Sequence, residues 1–167
     1  MIYDKLTKGD DGLYHVRAFT DDRKKYFVQL NGVTIMDVGD DLVLEALSEK
    51  IDSIHELNIQ NAIDNSQEWF GKKLAEKTLR SAYTREDTLT AERIPDTKVF
   101  SADKVLTDFG VIKPGDTCSV IVEFSGLWFA KKAFGPSWNI VQVKMHPPPE
   151  EKFDETYPED YMFEDDE

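Results

Sequence analysis

Short stretches in which apolar and polar residues alternate predict that the chain is mostly β-sheet, because successive side chains of a strand point to opposite faces. The longest stretch follows the turn sequence at residues 112–116. One of its sides is expected to lie in the hydrophobic core and consists of Cys118, Val120, Val122 and Phe124. The other side consists of Thr117, Ser119, Ile121 and Glu123.

The N-terminal part of the chain predicts a three-stranded start. Asn31-Gly32 lies between two apolar runs within Tyr26–Asp37, and Asn-Gly is the strongest local signal for a two-residue hairpin turn. The preceding stretch, Gly12–Phe19, would supply the third strand.

Helices are predicted in the middle of the chain. From about Ala46 the apolar residues recur at intervals of three or four, which indicates an amphipathic helix up to Asp64. A second helical stretch follows Asn65, and Gly71 predicts a break in it. Residues Thr84–Asp96 are polar without periodicity and predict a long connection.

A hairpin closes the predicted domain, with strands at Leu127–Ala130 and Trp138–Met145. Short strands interrupted by helices favour a mainly β chain with helical insertions (α+β), and an OB-fold-like five-stranded β-barrel is the expected architecture. We expect it to span residues 1–146, with the helical insertion at about 46–83. Residues 147–167 then form an acidic tail, whose composition predicts disorder.

The negative charge is unevenly distributed. The net charge is -13, yet ten of the 33 acids and only one of the 20 Lys and Arg residues fall in His146–Glu167. By contrast, Trp69–Arg85 has five bases and one acid, and Gly126–Met145 has two tryptophans, three lysines and no acid. Local potential and overall charge therefore point in opposite directions.

Catalytic chemistry leaves little trace in the sequence. The three histidines are far apart, the single cysteine excludes an internal disulfide, and the glycine-rich phosphate loops are missing. We expect a non-enzymatic protein with no catalytic residue, metal or cofactor. With no signal peptide and no apolar run of membrane-spanning length, we expect a soluble protein of the cytoplasm or nucleus that contacts no membrane.

The last strand predicts a nucleic-acid surface. Pleating places Val141, Val143 and Met145 on a core face, and leaves an outward face with an aromatic ring, an amide and a cation. Such a face lets a base stack while its phosphate meets an ammonium group. That outward face consists of Trp138, Ile140, Gln142 and Lys144, and Lys131, Lys132 and Phe134 of the preceding loop extend it. A structural tryptophan with solvated lysines nearby stays open as the alternative.

Two segments and one tyrosine between them resemble the phage T7-like single-stranded DNA-binding proteins of nucleocytoplasmic large DNA viruses. They are NSQEWFGKKL at Asn65–Leu74, Tyr83, and the long segment Val99–Met145 with its GLWF and FGPSWNIVQVK sequences. The resemblance spans roughly Ala46–Met145, and the acidic, aromatic tail is similar to that family as well. The N-terminal strands carry no motif of that family, and the tail does not end in the aromatic residue that is typical of its phage members.

The resemblance implies an OB-fold protein that binds single-stranded DNA without sequence preference in viral DNA replication and recombination. Its acidic tail would compete for the DNA groove or recruit replication proteins, although a purely solubilising tail stays open. The implied DNA-binding residues are Trp128, Trp138, Phe134, Lys131, Lys132, Lys144, Lys72, Lys73 and Arg80. The implied tail residues are Phe153, Tyr157, Tyr161, Phe163, Glu164, Asp165 and Asp166.

Two other functions compete with this interpretation. In a noncatalytic protein-interaction or virion scaffold module, the hairpin aromatics would be core or interface residues. A small nuclease or nucleotide-handling enzyme on the same fold would need clustered carboxylates and Mg²⁺. Trp69 lies in a helical apolar stripe and is expected in the core, and a homodimer stays open.

Overall fold

β-Strands account for most of the regular structure in the computed structural model, which describes residues 1–45, 48–85 and 88–147. These ranges contain nine strands, three α-helices and one short 3-10 helix at Phe109–Val111. The strands are β1 (Ile2–Tyr3), β2 (Thr7–Lys8), β3 (Tyr14–Phe19), β4 (Tyr26–Val38), β5 (Asp41–Glu45), β6 (Thr88–Phe100), β7 (Leu106–Thr107), β8 (Thr117–Phe129) and β9 (Phe134–Met145). The helices are α1 (Glu49–Asp64), α2 (Ser66–Phe70) and α3 (Glu76–Ala82). The prediction of a mainly β chain is confirmed.

Five strands pair in a closed ring. β8 pairs with β4, β4 with β5, β5 with β6, β6 with β9, and β9 with β8. The pairing of β6 with β9 is parallel and the others are antiparallel. β3 and β4 both pair with β8, and β3 continues the pairing beyond the N-terminal end of β4. The predicted three-stranded start is therefore wrong, because the strand that pairs with both β3 and β4 comes from the C-terminal half of the chain.

β8 confirms the predicted alternation. Cys118, Val120, Val122 and Phe124 are at most 1% exposed, and each faces the core of the ring. Cys118 is thus a small buried hydrophobe, and burial raises the pKa of its thiol to about 12. At neutral pH this thiol stays protonated and therefore unreactive.

The predicted hairpin turn at Asn31-Gly32 is wrong, because β4 continues through both residues. The pairing of β4 with β8 shifts its register between Leu30 and Val33, and Gly32 has a left-handed φ of 66°. These are the properties of a β-bulge. Turns and bulges both need a residue that tolerates positive φ, and β8, which pairs on both sides of the dipeptide, selects the bulge.

The predicted connection at Thr84–Asp96 is also wrong, since β6 begins at Thr88. Only Leu89, Ala91 and Val99 of this strand are buried, so its alternation is weak in the sequence. Its pairing with β9 also changes register between Arg93 and Lys98, on either side of Pro95. A strand with so few core positions has little hydrophobic periodicity to detect.

The helical insertion follows its predicted pattern. Ser48 caps α1 by accepting a hydrogen bond from the backbone N–H of Lys50, and Ala46, where the helix was expected to begin, lies outside the described residues. Gly71 ends α2 in a left-handed conformation, as predicted, and Trp69 is buried in the core. In the described part of the chain no helix combines the length and apolarity needed to cross a bilayer.

Candidate nucleic-acid interface

A bulge in β9 overturns the predicted division of its faces. The pairing of β9 with β8 skips Val141, which shifts the alternation by one residue. Before the bulge, Trp138 and Ile140 are 5% and 0% exposed, so both face the core. After the bulge, Gln142 and Lys144 point outward. The prediction that Trp138 and Ile140 share the outward face with Lys144 is wrong, because an inserted residue is invisible to simple alternation.

The outward residues of β8 and β9 form a strip, which we call the outer face. Ser119 lies opposite Lys144, Ile121 opposite Gln142, and Glu123 opposite Asn139. The Asn139 side-chain amide donates a hydrogen bond to Glu123 at 3.2 Å, and Glu123 is only 8% exposed. The carboxylate therefore lies within the strip and projects little into solvent.

A groove of about 300 Å³ crosses the outer face near the end of β9. We call it the lysine groove, because Lys104 and Lys144 line it beside the apolar surfaces of Phe100 and Ile121. None of the described residues in its walls is acidic, although the whole chain carries a net charge of -13. The other lining residues are Gln29, Ser119, Val120, Gln142 and Val143.

Of the residues that line this groove, Gln142 and Lys144 were predicted on the DNA surface, whereas Phe100, Lys104 and Gln29 were not. Gln29 and the 55% exposed Phe27 lie on the outward side of β4, in the part of the strand that precedes Asn31. Phe100 ends β6, whose course was missed. Lys104 lies in the turn between β6 and β7 and carries no periodic signal.

Phe134 is fully buried, so the prediction that its ring is available to stack on DNA is wrong. Its ring lies parallel to that of Phe129, with 5.7 Å between centroids. It also packs on Phe70 and Tyr83 at 5.3 and 5.2 Å. This aromatic cluster attaches the end of the β8–β9 hairpin to the helical insertion.

The same cluster brings two pairs of lysines to one end of the molecule, which we call the hairpin end. Lys131 and Lys132 are exposed in the loop between β8 and β9, and Lys72 and Lys73 are exposed just after Gly71. Phe70 packs on the aromatic residues at both ends of that loop. The chain can therefore gather four ammonium groups here, as the predicted DNA surface requires.

Lys144 belongs to a different place. It is separated from Lys132 by nearly the whole of β9, which corresponds to about 33 Å of extended strand at roughly 3.3 Å per residue. The predicted DNA-binding lysines thus form two groups, one in the lysine groove and one at the hairpin end. The outer face of β8 and β9 connects them.

Trp128 lies on the outward side of the hairpin and is half-buried. Its indole covers Gly135 of β9, where a Cβ atom would come within 2.9 Å of the Trp128 ring. Trp128 and Trp138 together line a cavity of about 210 Å³, which we call the tryptophan pocket. Its other lining residues are Ile51, His55, Thr84, Thr88, Leu89, Thr90 and Pro136.

Arg80 is exposed, but its guanidinium group is engaged by two carboxylates. It forms ion pairs with Glu56 at 3.2 Å and Glu76 at 3.1 Å. The hydrogen bonds from Arg80 hold the pKa of the Glu56 carboxyl below its usual range, and Arg85 also binds Glu56. The structure therefore places Arg80 in an ion-pair network of α1 and α3.

Some predicted features cannot be placed on this surface. The tail residues Phe153, Tyr157, Tyr161, Phe163, Glu164, Asp165 and Asp166 lie outside the described residues. Within 1–45, 48–85 and 88–147, no group of three or more His, Cys, Asp or Glu side chains is arranged to hold a metal ion.

Comparisons with known proteins give a family and a fold. A family model described as a family of unknown function (DUF5871) matches residues 31–165. No curated protein sequence matches the chain.

Two solved structures come from bacteriophage Enc34. Its single-stranded DNA-binding protein with a C-terminal truncation aligns with a TM-score of 0.52 at 11% identity, covering 87% of this chain and 94% of that one. Another structure of the phage protein aligns with a TM-score of 0.50 at 13% identity, covering 92% and 97%. These likenesses show a shared fold.

Proposed function

We propose that this chain, which belongs to the family of unknown function DUF5871, is a non-enzymatic protein that binds single-stranded DNA without sequence preference. Its fold is shared with a phage protein that binds single-stranded DNA, and this supports the proposal. The two groups of lysines on the outer face and at the hairpin end give it a chemical basis.

The composition of the lysine groove carries the proposal. Carboxylates repel the DNA backbone, and this chain is rich in them, yet the described walls of the groove have none. They offer the ring of Phe100 and the ammonium groups of Lys104 and Lys144. A strand that stacks a base on an aromatic ring while lysines neutralise its phosphates is held in this way by single-strand binding proteins.

We place the DNA strand along the outer face, from the lysine groove to the hairpin end. Exposed Lys98, opposite Gln142, lies beside this path. At the hairpin end Lys72, Lys73, Lys131 and Lys132 would neutralise further phosphates. The extent of this path suits the roughly 4–16 nucleotides that one OB-fold binds.

The stacking residues explain the absence of sequence preference. Every base has a π-face, and stacking on an aromatic ring contributes about 1–3 kcal/mol per base whatever its identity. We assign this role to Phe100 and Trp128, and also to the exposed Phe27, which lies opposite Glu123 of the outer face. Phe134 is excluded by its burial, and Trp138 reaches a ligand only through the tryptophan pocket. Arg80 would contribute after release from Glu56 and Glu76.

We further propose that the five-strand ring is an OB-fold barrel within a domain of residues 1–146. The closed order of pairings and the Enc34 likeness support this assignment. The narrower resemblance to proteins of large DNA viruses leads us to propose a role in viral DNA replication and recombination, in the cytoplasm or nucleus of the host. The acidic tail would then recruit replication proteins or compete for the groove.

A protein-interaction or scaffold module is the second candidate. Val105, just before β7, is 61% exposed, and Leu106, the first residue of β7, is 63% exposed. Phe27 is exposed beside the outer face. Exposed apolar side chains of this size suit a protein partner. Salt separates the two functions, because apolar contacts respond weakly to it and phosphate contacts respond strongly.

The test is a titration of the full chain with oligo-dT and with duplex DNA at several salt concentrations, followed by tryptophan fluorescence. About six lysine contacts predict that log K for oligo-dT falls with log[salt] at a slope of about -4. Duplex DNA should bind more weakly. If neither DNA binds, or if binding of oligo-dT is insensitive to salt, the proposal fails and the scaffold function takes its place.

A further inference from the structure

The tryptophan pocket has walls of two chemical kinds. Trp128 and Trp138 supply aromatic surface, and Thr84, Thr88 and Thr90 supply hydroxyl groups. Its volume of about 210 Å³ is below the roughly 300–1,000 Å³ of sites for drug-sized ligands. The pocket thus suits one flat ring system that carries polar edges.

A chain of hydrogen bonds orients the histidine in its wall. The Tyr3 hydroxyl donates to Asn58 Oδ1 at 2.6 Å, and Asn58 Nδ2 donates to the Tyr83 hydroxyl at 2.9 Å. The Tyr83 hydroxyl lies 2.6 Å from His55 Nδ1, and because its oxygen already accepts from Asn58 we assign the hydroxyl as the donor to Nδ1. Since Nδ1 accepts, the neutral imidazole carries its proton on Nε2. His55 can therefore donate one hydrogen bond to a ligand.

His55 is also held in its uncharged form. Burial lowers the pKa of the imidazole and is the largest influence on it; the nearby Arg85 lowers it further, while two carboxylates of α1 oppose the shift without reversing it. Asn58 is fully buried and Tyr83 is 6% exposed, so the groups that orient the ring are fixed in the core. An uncharged donor pairs with the oxygen or ring nitrogen of a neutral heterocycle, whereas a phosphate would be better served by a cation.

We propose that the tryptophan pocket binds one nucleobase, drawn out of the stack of the bound DNA strand. A keto oxygen or ring nitrogen of the base accepts the hydrogen bond from His55 Nε2, and the threonine hydroxyls meet its other edge atoms. The indole surfaces replace the stacking that the base gives up, which offsets an unstacking cost of a few kcal/mol. This inference rests on the proposed function and adds to it a polar base site beside the stacking surfaces.

Replacement of His55 by Asn tests the proposal. The shorter Asn amide offers an acceptor for the Tyr83 hydroxyl, so the oriented network is retained, but the Nε2 donor is lost. We expect His55→Asn to weaken oligo-dT binding about 3- to 10-fold, the effect of one hydrogen bond. An oligonucleotide of the same length with abasic sites throughout should bind the variant and the unaltered chain equally.

A second variant keeps the proposal testable if His55→Asn fails to fold. Thr90 is exposed, and Thr90→Val removes its hydroxyl with little change in shape, so it should also weaken oligo-dT selectively. If the unaltered chain binds oligo-dT while both variants match it, the pocket takes no base and the proposed function still stands. An equal loss for oligo-dT and the abasic strand likewise contradicts the pocket. If the unaltered chain binds no DNA, the proposed function itself is wrong.

Discussion

Gly126 lies where the backbone of β3 passes close to β8, opposite Arg17. Its φ of 143° lies outside the range that L side chains readily adopt. A Cβ atom here would stand 1.9 Å from the carbonyl oxygen of Val16 and 2.8 Å from the Cα of Arg17. Both neighbours are backbone atoms of a paired strand, so neither can rotate away.

We therefore predict that Gly126→Ala strongly destabilises the fold, by at least about 2–4 kcal/mol from strain and overpacking. Urea denaturation followed by tryptophan fluorescence measures the free energy of unfolding. Gly110→Ala is the matched control, because Gly110 is exposed and a Cβ there meets nothing within 4 Å. Its effect should stay within about 0.5 kcal/mol. Equal stability of the two variants would contradict the close approach of β3 and β8.

At the same scale, residue type alone did not reveal which rings are exposed. Phe134 resembled a surface stacking residue because it follows Lys131 and Lys132 closely. Trp138 resembled one because simple alternation puts it on the same face as Lys144. Their burial depends on α2, Tyr83 and the bulge in β9, which are distant in sequence or hidden from periodicity. Trp69 was predicted correctly, since its position in a helical apolar stripe is a local property.

At the scale of elements, the sequence predicted a strand or helix correctly when one of its faces is continuously buried. β8 alternates without interruption over its first half, and α1 keeps a helical period, so both were found. β4 and β9 each contain a bulge, which makes one strand look like two or reverses its faces. β6 has few buried residues, and the parallel partner that fixes it comes much later in the chain. The lysine groove combines residues of these three strands with residues of β8, which is why the sequence did not reveal it as one site.

At the scale of the whole molecule, the separation of charge suggests self-regulation. Ten acids lie in His146–Glu167, and this segment leaves β9 directly beside Lys144 of the groove. His146 Nε2 lies 2.7 Å from the hydroxyl oxygen of Ser119, a groove residue, which anchors the start of the segment there. Tethered carboxylates would reach the groove at high effective concentration.

We accordingly predict that deletion of Glu150–Glu167 tightens oligo-dT binding at low salt, on the order of 10-fold. Equilibrium titration of both chains measures it. A chain of full length with the tail acids replaced by Asn and Gln is the control, and it should bind like the truncated chain because the effect is electrostatic. Unchanged affinity in both would contradict competition of the tail for the groove.

The salt dependence of a double variant tests most directly whether the DNA strand lies in the lysine groove. Lys104→Gln with Lys144→Gln removes two phosphate contacts, so the slope of log K against log[salt] for oligo-dT should become shallower by about 1.4. The matched control is Lys5→Gln with Lys50→Gln, which removes the same charge from exposed positions outside the groove and should leave the slope unchanged. If the groove variant keeps the slope of the unaltered chain, the strand does not pass through the groove and the account is wrong.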